Sequence, residues 1–296
     1  MPFLSDAAAG ALCATGSALT WALINLLVRG LSPAFNSVAL NALRSTVGSV
    51  LIVAWIAAMD GLGGLTDMSA RAVWLLAISV VLAVGVGDTI FFESVKWLGL
   101  VRAMTVSMVY PLFAALLAAL LLGEAPTLQV SVGGLLTLAG LILTVRAKGG
   151  AVPAHGRFRL GLAASVVAAL AWAVSVILLK PALDEVDAVR SQAIRLPLAA
   201  AMLWVTPWAW SVHRPLREQG RAGLWQLGAL GALSAASSIL FVAGVRHAGV
   251  AVATVLSSTA PIFALPLGFF FLGERVRPIA VAGIALTILG IAVLQH

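Results

Sequence analysis

The stretch Arg102–Glu124, RAMTVSMVYPLFAALLAALLLGE, decides how this chain is read. It is long and apolar enough to cross a bilayer once as a helix, and it carries Pro111 near its middle. Proline lacks an N–H, and its ring crowds the carbonyl four residues back. A bend is therefore predicted at Pro111, leaving the Ser107 carbonyl unpaired. At bilayer depth such a carbonyl persists only where protein or a water-filled cavity receives it. The same pattern returns 150 residues later as VAVATVLSSTAPIFALPLGFFFLGE, with Ser107, Pro111, Phe113 and Glu124 answered by Ser257, Pro261, Phe263 and Glu274.

The echo extends along the whole chain. At an offset of 151, Trp21 meets Trp172, Arg29 meets Lys180, Arg44 meets Arg195 and Trp74 meets Trp225. At an offset of 150, Phe91 meets Phe241, Lys96 meets Arg246 and Gly99 meets Gly249. Ten apolar runs of about span length can be read: 7–28, 35–58, 71–95, 102–123, 127–146, 159–180, 187–211, 223–246, 251–273 and 278–294. Five runs per copy is an odd number, so the second copy enters the membrane from the opposite side. The expected fold is an all-α polytopic membrane protein of ten transmembrane helices, arranged as two inverted five-helix repeats around a central cavity. The expected division is 1–148, a linker at 149–158, and 159–296.

Composition agrees with a membrane class. The chain is 61% hydrophobic and 10% charged, with a mean hydropathy of +1.08, where soluble domains are about half apolar and a quarter charged. Its +7 net charge would raise nucleic acid as a partner for a soluble protein. Here the charges sit in short loops, where they orient a membrane protein, so no nucleic acid is expected. Of sixteen basic residues outside the spans, twelve fall on one side and four on the other, which predicts both termini outside the cytoplasm. Cys13 is the only cysteine and the four histidines are scattered, so no metal site and no cofactor are expected.

Polar residues deep in a span are costly and mark cavities or partners. Arg44 and Arg195 each lie near the middle of a span, and two readings stand for them. They lock the bundle by pairing with acids or helix-end carbonyls, or one of them takes a substrate carboxylate in its guanidinium fork. Asp88 breaks the repeat, because Ser238 is its counterpart. It is either a structural carboxylate held by hydroxyls or Arg44, or a group that meets a substrate ammonium or carries a coupling proton. Gly85-Val86-Gly87-Asp88 matches the GxGD signature of intramembrane aspartyl proteases. That chemistry needs a second mid-depth aspartate, and the sequence offers none, so no enzyme is expected.

Trp21 and Trp172 lie mid-span rather than at the interfaces where tryptophan collects, and Tyr110, the only tyrosine, precedes Pro111. With hydroxyls from Ser237, Ser238, Ser257, Ser258 and Thr259 they would line a pocket suited to a small amphipathic molecule. Glu124 and Glu274 are read as structural. Gly133, Gly134, Thr137 and Gly140 on run five, with Gly283, Thr287 and Gly290 on run ten, are read as packing faces inside the bundle, with a dimer interface as the other reading.

Ten spans in two halves, the S-x-x-x-P-x-F-A…L-G-E helix in both, and an arginine within span two resemble the EamA-type carriers of the drug/metabolite transporter superfamily. The mid-span tryptophans, with Tyr110 beside Pro111, resemble its exporters of aromatic and other neutral amino acids. The resemblance implies a multi-pass protein of the bacterial inner membrane that exports amino acids or related metabolites by alternating access. The alternatives are export of another metabolite or drug, or a channel-like facilitator. It also implies both termini in the cytoplasm, against the charge count. The expected substrate-binding residues are Trp21, Arg44, Asp88, Tyr110, Trp172, Arg195, Ser238 and Ser257, with helix breaks at Pro111 and Pro261. Expected partners are the small-molecule substrate and membrane lipid, with the chain acting as a monomer.

Overall fold

A computed structural model describes residues 6–59, 68–122, 128–146, 157–273 and 277–293. The expected linker lies almost entirely outside these residues, as do Glu124 and Glu274. Among the described residues the structure is helical throughout, with no strand. The helices are α1 (Asp6–Leu31), α2 (Ser37–Met59), α3 (Ala70–Val80), α4 (Thr89–Leu98), α5 (Leu100–Ser107), α6 (Tyr110–Leu122) and α7 (Leu128–Arg146). They are followed by α8 (Phe158–Ala182), α9 (Ala188–Val205), α10 (His213–Glu218), α11 (Arg221–Ser257), α12 (Ala260–Leu272) and α13 (Pro278–Val293). A 3₁₀ turn, Pro207–Val212, joins α9 to α10.

Among the described residues, six helical stretches are long and apolar enough to cross a membrane, where the hydropathy reading expects ten. They are Asp6–Leu31, Ser37–Met59, Ala70–Leu98, Phe158–Ala182, Arg221–Val250 and Val252–Leu272. Others are shorter than their apolar runs. The fourth predicted span is divided between α5 and α6, and α9 carries Arg190, Gln192 and Arg195. The outward surface suits lipid: Phe269, Phe270, Phe271, Leu135 and Leu289 are all exposed. Trp74 and Trp225 are exposed near span ends, unlike the largely buried Trp21 and Trp172.

Small residues set the closest contacts. In hydrocarbon no hydrophobic force draws helices together, so association depends on how near the backbones can come. The N-terminal half of α1 lies against α11. A methyl added at Gly10 would fall 2.6 Å from the Ala248 backbone nitrogen, and one at Gly244 would fall 3.0 Å from the Ala14 methyl. Helices α7 and α13 pack mainly on each other through the glycine faces picked out in the sequence. A methyl at Gly290 would sit 2.7 Å from the Gly133 carbonyl oxygen, and one at Gly283 would sit 2.7 Å from that of Gly140. These glycines are packing residues within the chain.

The helix breaks do not fall where the proline rule puts them. Helix α5 ends at Ser107, Met108 and Val109 form a turn, and α6 begins at Tyr110. Pro111 therefore lies in the first turn of a new helix, where its missing N–H costs nothing. In the second copy α11 ends at Ser257 and α12 begins at Ala260, again with the proline in the first turn. The residues that leave the helix have nearly the same backbone, with φ −72°, ψ 9° at Met108 and φ −72°, ψ −6° at Ser258. Gly99 (φ 84°, ψ 165°) and Gly249 (φ 82°, ψ 163°) likewise share a conformation essentially confined to glycine; the first makes the sharp turn between α4 and α5, and the second makes the matching kink inside α11.

One element was not anticipated. The third predicted span is not uniformly α: Val81–Asp88 is a π-helical segment between α3 and α4. Widening a helix loosens its hydrogen-bond ladder, and π turns tend to occur at functional sites. The carbonyls along this stretch receive donors from elsewhere in the bundle. Ser175 Oγ donates to Ser79 O (2.7 Å), Trp172 Nε1 to Ala83 O (3.3 Å), and Asn41 Nδ2 to Val84 O (2.6 Å).

Candidate functional site

The π segment places Asp88 at its end, facing α2 and α8. Its glycines permit the approach. A methyl at Gly87 would lie 2.6 Å from Trp172 Cδ1 on α8, and one at Gly85 would lie 3.2 Å from Met202 Sδ on α9. The Gly-x-Gly-Asp motif is therefore a close-packing device that docks the π segment against two helices of the second copy.

Asp88 is 7% exposed and forms a buried ion pair with Arg44 on α2. Its other oxygen, Oδ1, accepts from Trp172 Nε1 at 2.9 Å. Arg44 is held on every side. Its Nε donates to Asn41 Oδ1 (2.7 Å), its Nη1 lies 3.4 Å from Ser234 Oγ, and its guanidinium stands over Phe92 (5.1 Å) and Trp21 (5.9 Å). The ion pair is the contact that the bundle-lock reading asks of Arg44 and Asp88, and both side chains also border the cavity described next. Glu93, the other acid of that span, is exposed enough to pair with Lys96 one turn on, at 2.9 Å.

This network borders a cavity of about 160 Å³, room for on the order of ten waters. Both copies of the repeat contribute to its walls. One wall is aromatic. Trp172 meets Trp21 edge-on at 5.7 Å and Tyr110 edge-on at 6.2 Å, and Phe91 backs both tryptophans at 5.2 and 5.9 Å. Another wall is hydroxylic, with Ser17, Ser234, Ser237 and Ser238 from α1 and α11. The two helix breaks meet at its edge: the Tyr110 hydroxyl lies 2.5 Å from Ser257 Oγ.

All eight residues singled out as substrate-binding in the sequence, Trp21, Arg44, Asp88, Tyr110, Trp172, Arg195, Ser238 and Ser257, line this one cavity. Ser258 and Thr259 do not. They turn their hydroxyls back to Thr254 O and Leu256 O, both at 2.6 Å, and close off the end of α11. Pro111 and Pro261 lie just beyond the breaks and not among the lining residues.

Sequence reasoning overlooked Asn41 and Gln192, although the signal was present. Each stands three residues before the mid-span arginine of its copy, at the repeat offset of 151. That spacing puts amide and guanidinium on one helix face. Asn41 uses the arrangement fully, accepting from Arg44 and donating to Val84 O and Thr89 Oγ1. Gln192 and Arg195 line the cavity, 2% and 6% exposed, yet Gln192 Nε2 and Arg195 Nε have no hydrogen-bond partner.

Outside the membrane, Glu185 in the α8–α9 loop accepts from the hydroxyl (2.9 Å) and backbone N–H (3.1 Å) of Ser69, tying the two copies together at that end of the bundle. These bonds, with Arg71 nearby, hold its carboxyl below the ordinary glutamate range.

The EamA-like transporter family matches the chain twice, over residues 8–146 and again over 159–295. An uncharacterized transporter of Archaeoglobus fulgidus is 26% identical over 239 residues, covering 81% of each chain. A solved crystal structure superposes with a TM-score of 0.68 over 96% of this chain and 95% of that one; at 19% identity this likeness bears on the fold alone. With two matches that together span nearly the whole length, this chain belongs to the EamA-like transporter family and is a polytopic membrane transporter of small molecules.

Proposed function

We propose that the chain is a secondary carrier that exports small amphipathic metabolites, aromatic and other neutral amino acids among them, across the bacterial inner membrane by alternating access. The observation that carries this reading is the cavity, walled on one side by aromatic rings and on another by hydroxyls and a guanidinium, with both copies contributing. Apolar walls with a few placed polar groups fit a small organic ligand. The copies, 1–148 and 159–296 with a linker at 149–158, act as inverted repeats that rock about this cavity. Matching glycine turns and matching breaks at Met108 and Ser258 support that symmetry. The cavity is walled within a single chain, so the monomer reading needs no second copy to complete the site.

The Arg44–Asp88 pair lies inside one copy, whereas Asp88–Trp172, Arg44–Ser234 and Tyr110–Ser257 each join the two. Rocking conserves the ion pair and exchanges the weaker contacts, which keeps a buried charge from being stranded at any stage. The test is counterflow in proteoliposomes against a panel of amino acids, nucleosides and sugars, with and without a pH gradient. Saturable exchange of a neutral amino acid is expected. Unsaturable flux would indicate a channel, and exchange of sugars or nucleosides alone would overturn the substrate class.

A further inference from the structure

The two copies place the same groups at the same positions and complete only one of the resulting networks. In the first copy an amide (Asn41), an arginine three residues on (Arg44) and an acid (Asp88) close on each other. The second copy has the amide (Gln192) and the arginine (Arg195) at the repeat offset of 151, but at the acid's position it has Ser238. The Ser238 hydroxyl donates to its own helix, at Ala235 O (2.9 Å). Arg195 forms no ion pair among the described residues.

Among the described residues, three buried donors of cavity-lining side chains have no hydrogen-bond partner: Arg195 Nε, Gln192 Nε2 and Trp21 Nε1. An arginine has no acceptor and cannot shed its proton, so it requires an anion or an acceptor from elsewhere. The charges around the cavity are Arg44 and Arg195, both positive, and Asp88, negative, a net of one positive charge. Asp88 is already neutralised by Arg44, which leaves no free carboxylate for a ligand ammonium.

We infer that Arg195 and Gln192 form a carboxylate-binding subsite, in which the ligand's carboxylate takes the place in the second copy that Asp88 fills in the first. The preferred ligand is a monoanion with an aromatic or apolar body. A dianion would leave one negative charge uncompensated, and an amine would add a second unpaired positive charge. The apolar body lies against Trp21, Trp172 and Tyr110. A zwitterionic amino acid binds through the same carboxylate, with its ammonium among the serine hydroxyls and no acid to meet it. This assignment rests on the carrier reading for its transport consequence, though not for the binding itself.

Three ligands of one shape separate the charges: 3-phenylpropionate, L-phenylalanine and phenethylamine. Calorimetric titration of the full chain in nanodiscs should find the propionate binding at least as well as phenylalanine, and the amine at least tenfold more weakly than either. Arg195→Gln should weaken both carboxylates roughly thirty-fold or more, as expected when one member of a buried charge pair is removed, while Arg195→Lys retains part of the affinity. Ser238→Asp adds a competing carboxylate to the cavity that Arg195 also lines. It should weaken carboxylate binding and strengthen binding of phenethylamine, so the inference does not depend on Arg195→Gln folding. Amine binding equal to that of the acid would overturn the subsite, as would unchanged carboxylate affinity in both Arg195→Gln and Ser238→Asp. Carboxylate binding without counterflow of any of the three would remove the carrier reading and leave the subsite standing.

Discussion

Replacing Asp88 with asparagine keeps the shape of the side chain and removes only its charge. Asn Oδ1 still accepts from Trp172 Nε1, a bond of 2.9 Å in the parent, so the loss is confined to the ion pair with Arg44. Arg44 is then left charged and 5% exposed, with only the Asn41 amide, a Ser234 hydroxyl at 3.4 Å and two aromatic faces around it. Stranding one member of a buried pair costs about 3–5 kcal/mol. The lower end applies here, because charges in a micelle-unfolded chain also find partners. Asp88→Ala also removes the nearer of the indole's two acceptors, leaving Ala83 O at 3.3 Å, and should cost about 1 kcal/mol more. Arg44→Met combined with Asp88→Asn leaves no stranded charge and should recover about 2–3 kcal/mol relative to the sum of the single changes. Reversible unfolding of the detergent-solubilised chain, followed by tryptophan fluorescence, measures these three variants and Arg44→Met alone. If Asp88→Asn unfolds within about 0.5 kcal/mol of the parent, or if the single costs simply add, the pair does not lock the bundle.

Three further outcomes are expected. Gly249 has open space where a methyl would go, so Gly249→Ala tests the backbone alone. Its φ of 82° and ψ of 163° should make the change cost about 1–3 kcal/mol in the same unfolding assay, and a neutral result would refute the strained turn. Glu185 titrates below its ordinary value of 4.5, so its contact with Ser69 contributes stability above that value and loses it as pH falls through the depressed one. The difference in melting temperature between the parent and Glu185→Gln should hold steady from about pH 5 to 8 and shrink below about pH 4.5; a difference that shrinks at neutral pH would contradict the assignment. The twelve-to-four basic excess predicts that a reporter fused at His296 is active outside the cytoplasm, and activity of a cytoplasm-only reporter there would reverse the orientation.

Much of the site was legible before any coordinates, for a reason particular to membranes. A charged or indole side chain in mid-span has few places to go, so Arg44, Arg195, Asp88, Trp21 and Trp172 stood out by depth alone, and all five line the cavity. The proline rule was less successful. It identified the right helices but put the break at the proline, whereas the chain leaves the helix at Met108–Val109 and at Ser258–Thr259 and uses each proline to begin again. A proline in a sequence is compatible with a kink inside a helix or with a helix start, and only the path of the chain distinguishes them.

Hydropathy, the repeat and the depth of the polar residues by themselves determined a membrane bundle built twice over, with a polar centre. They did not determine which arginine is paired. Arg44 and Arg195 are equivalent in sequence, and so are the amides three residues before them. Their fates differ because the π segment swings Asp88 to Arg44, while the second copy has a serine at that position. A π turn shifts hydrogen bonds by one residue, and in a segment as uniformly apolar as Val81–Gly87 there is no periodic face whose rotation would register it. Whether a buried charge is satisfied depends on distances of a few ångströms between helices far apart in sequence, and those are set only when the helices pack.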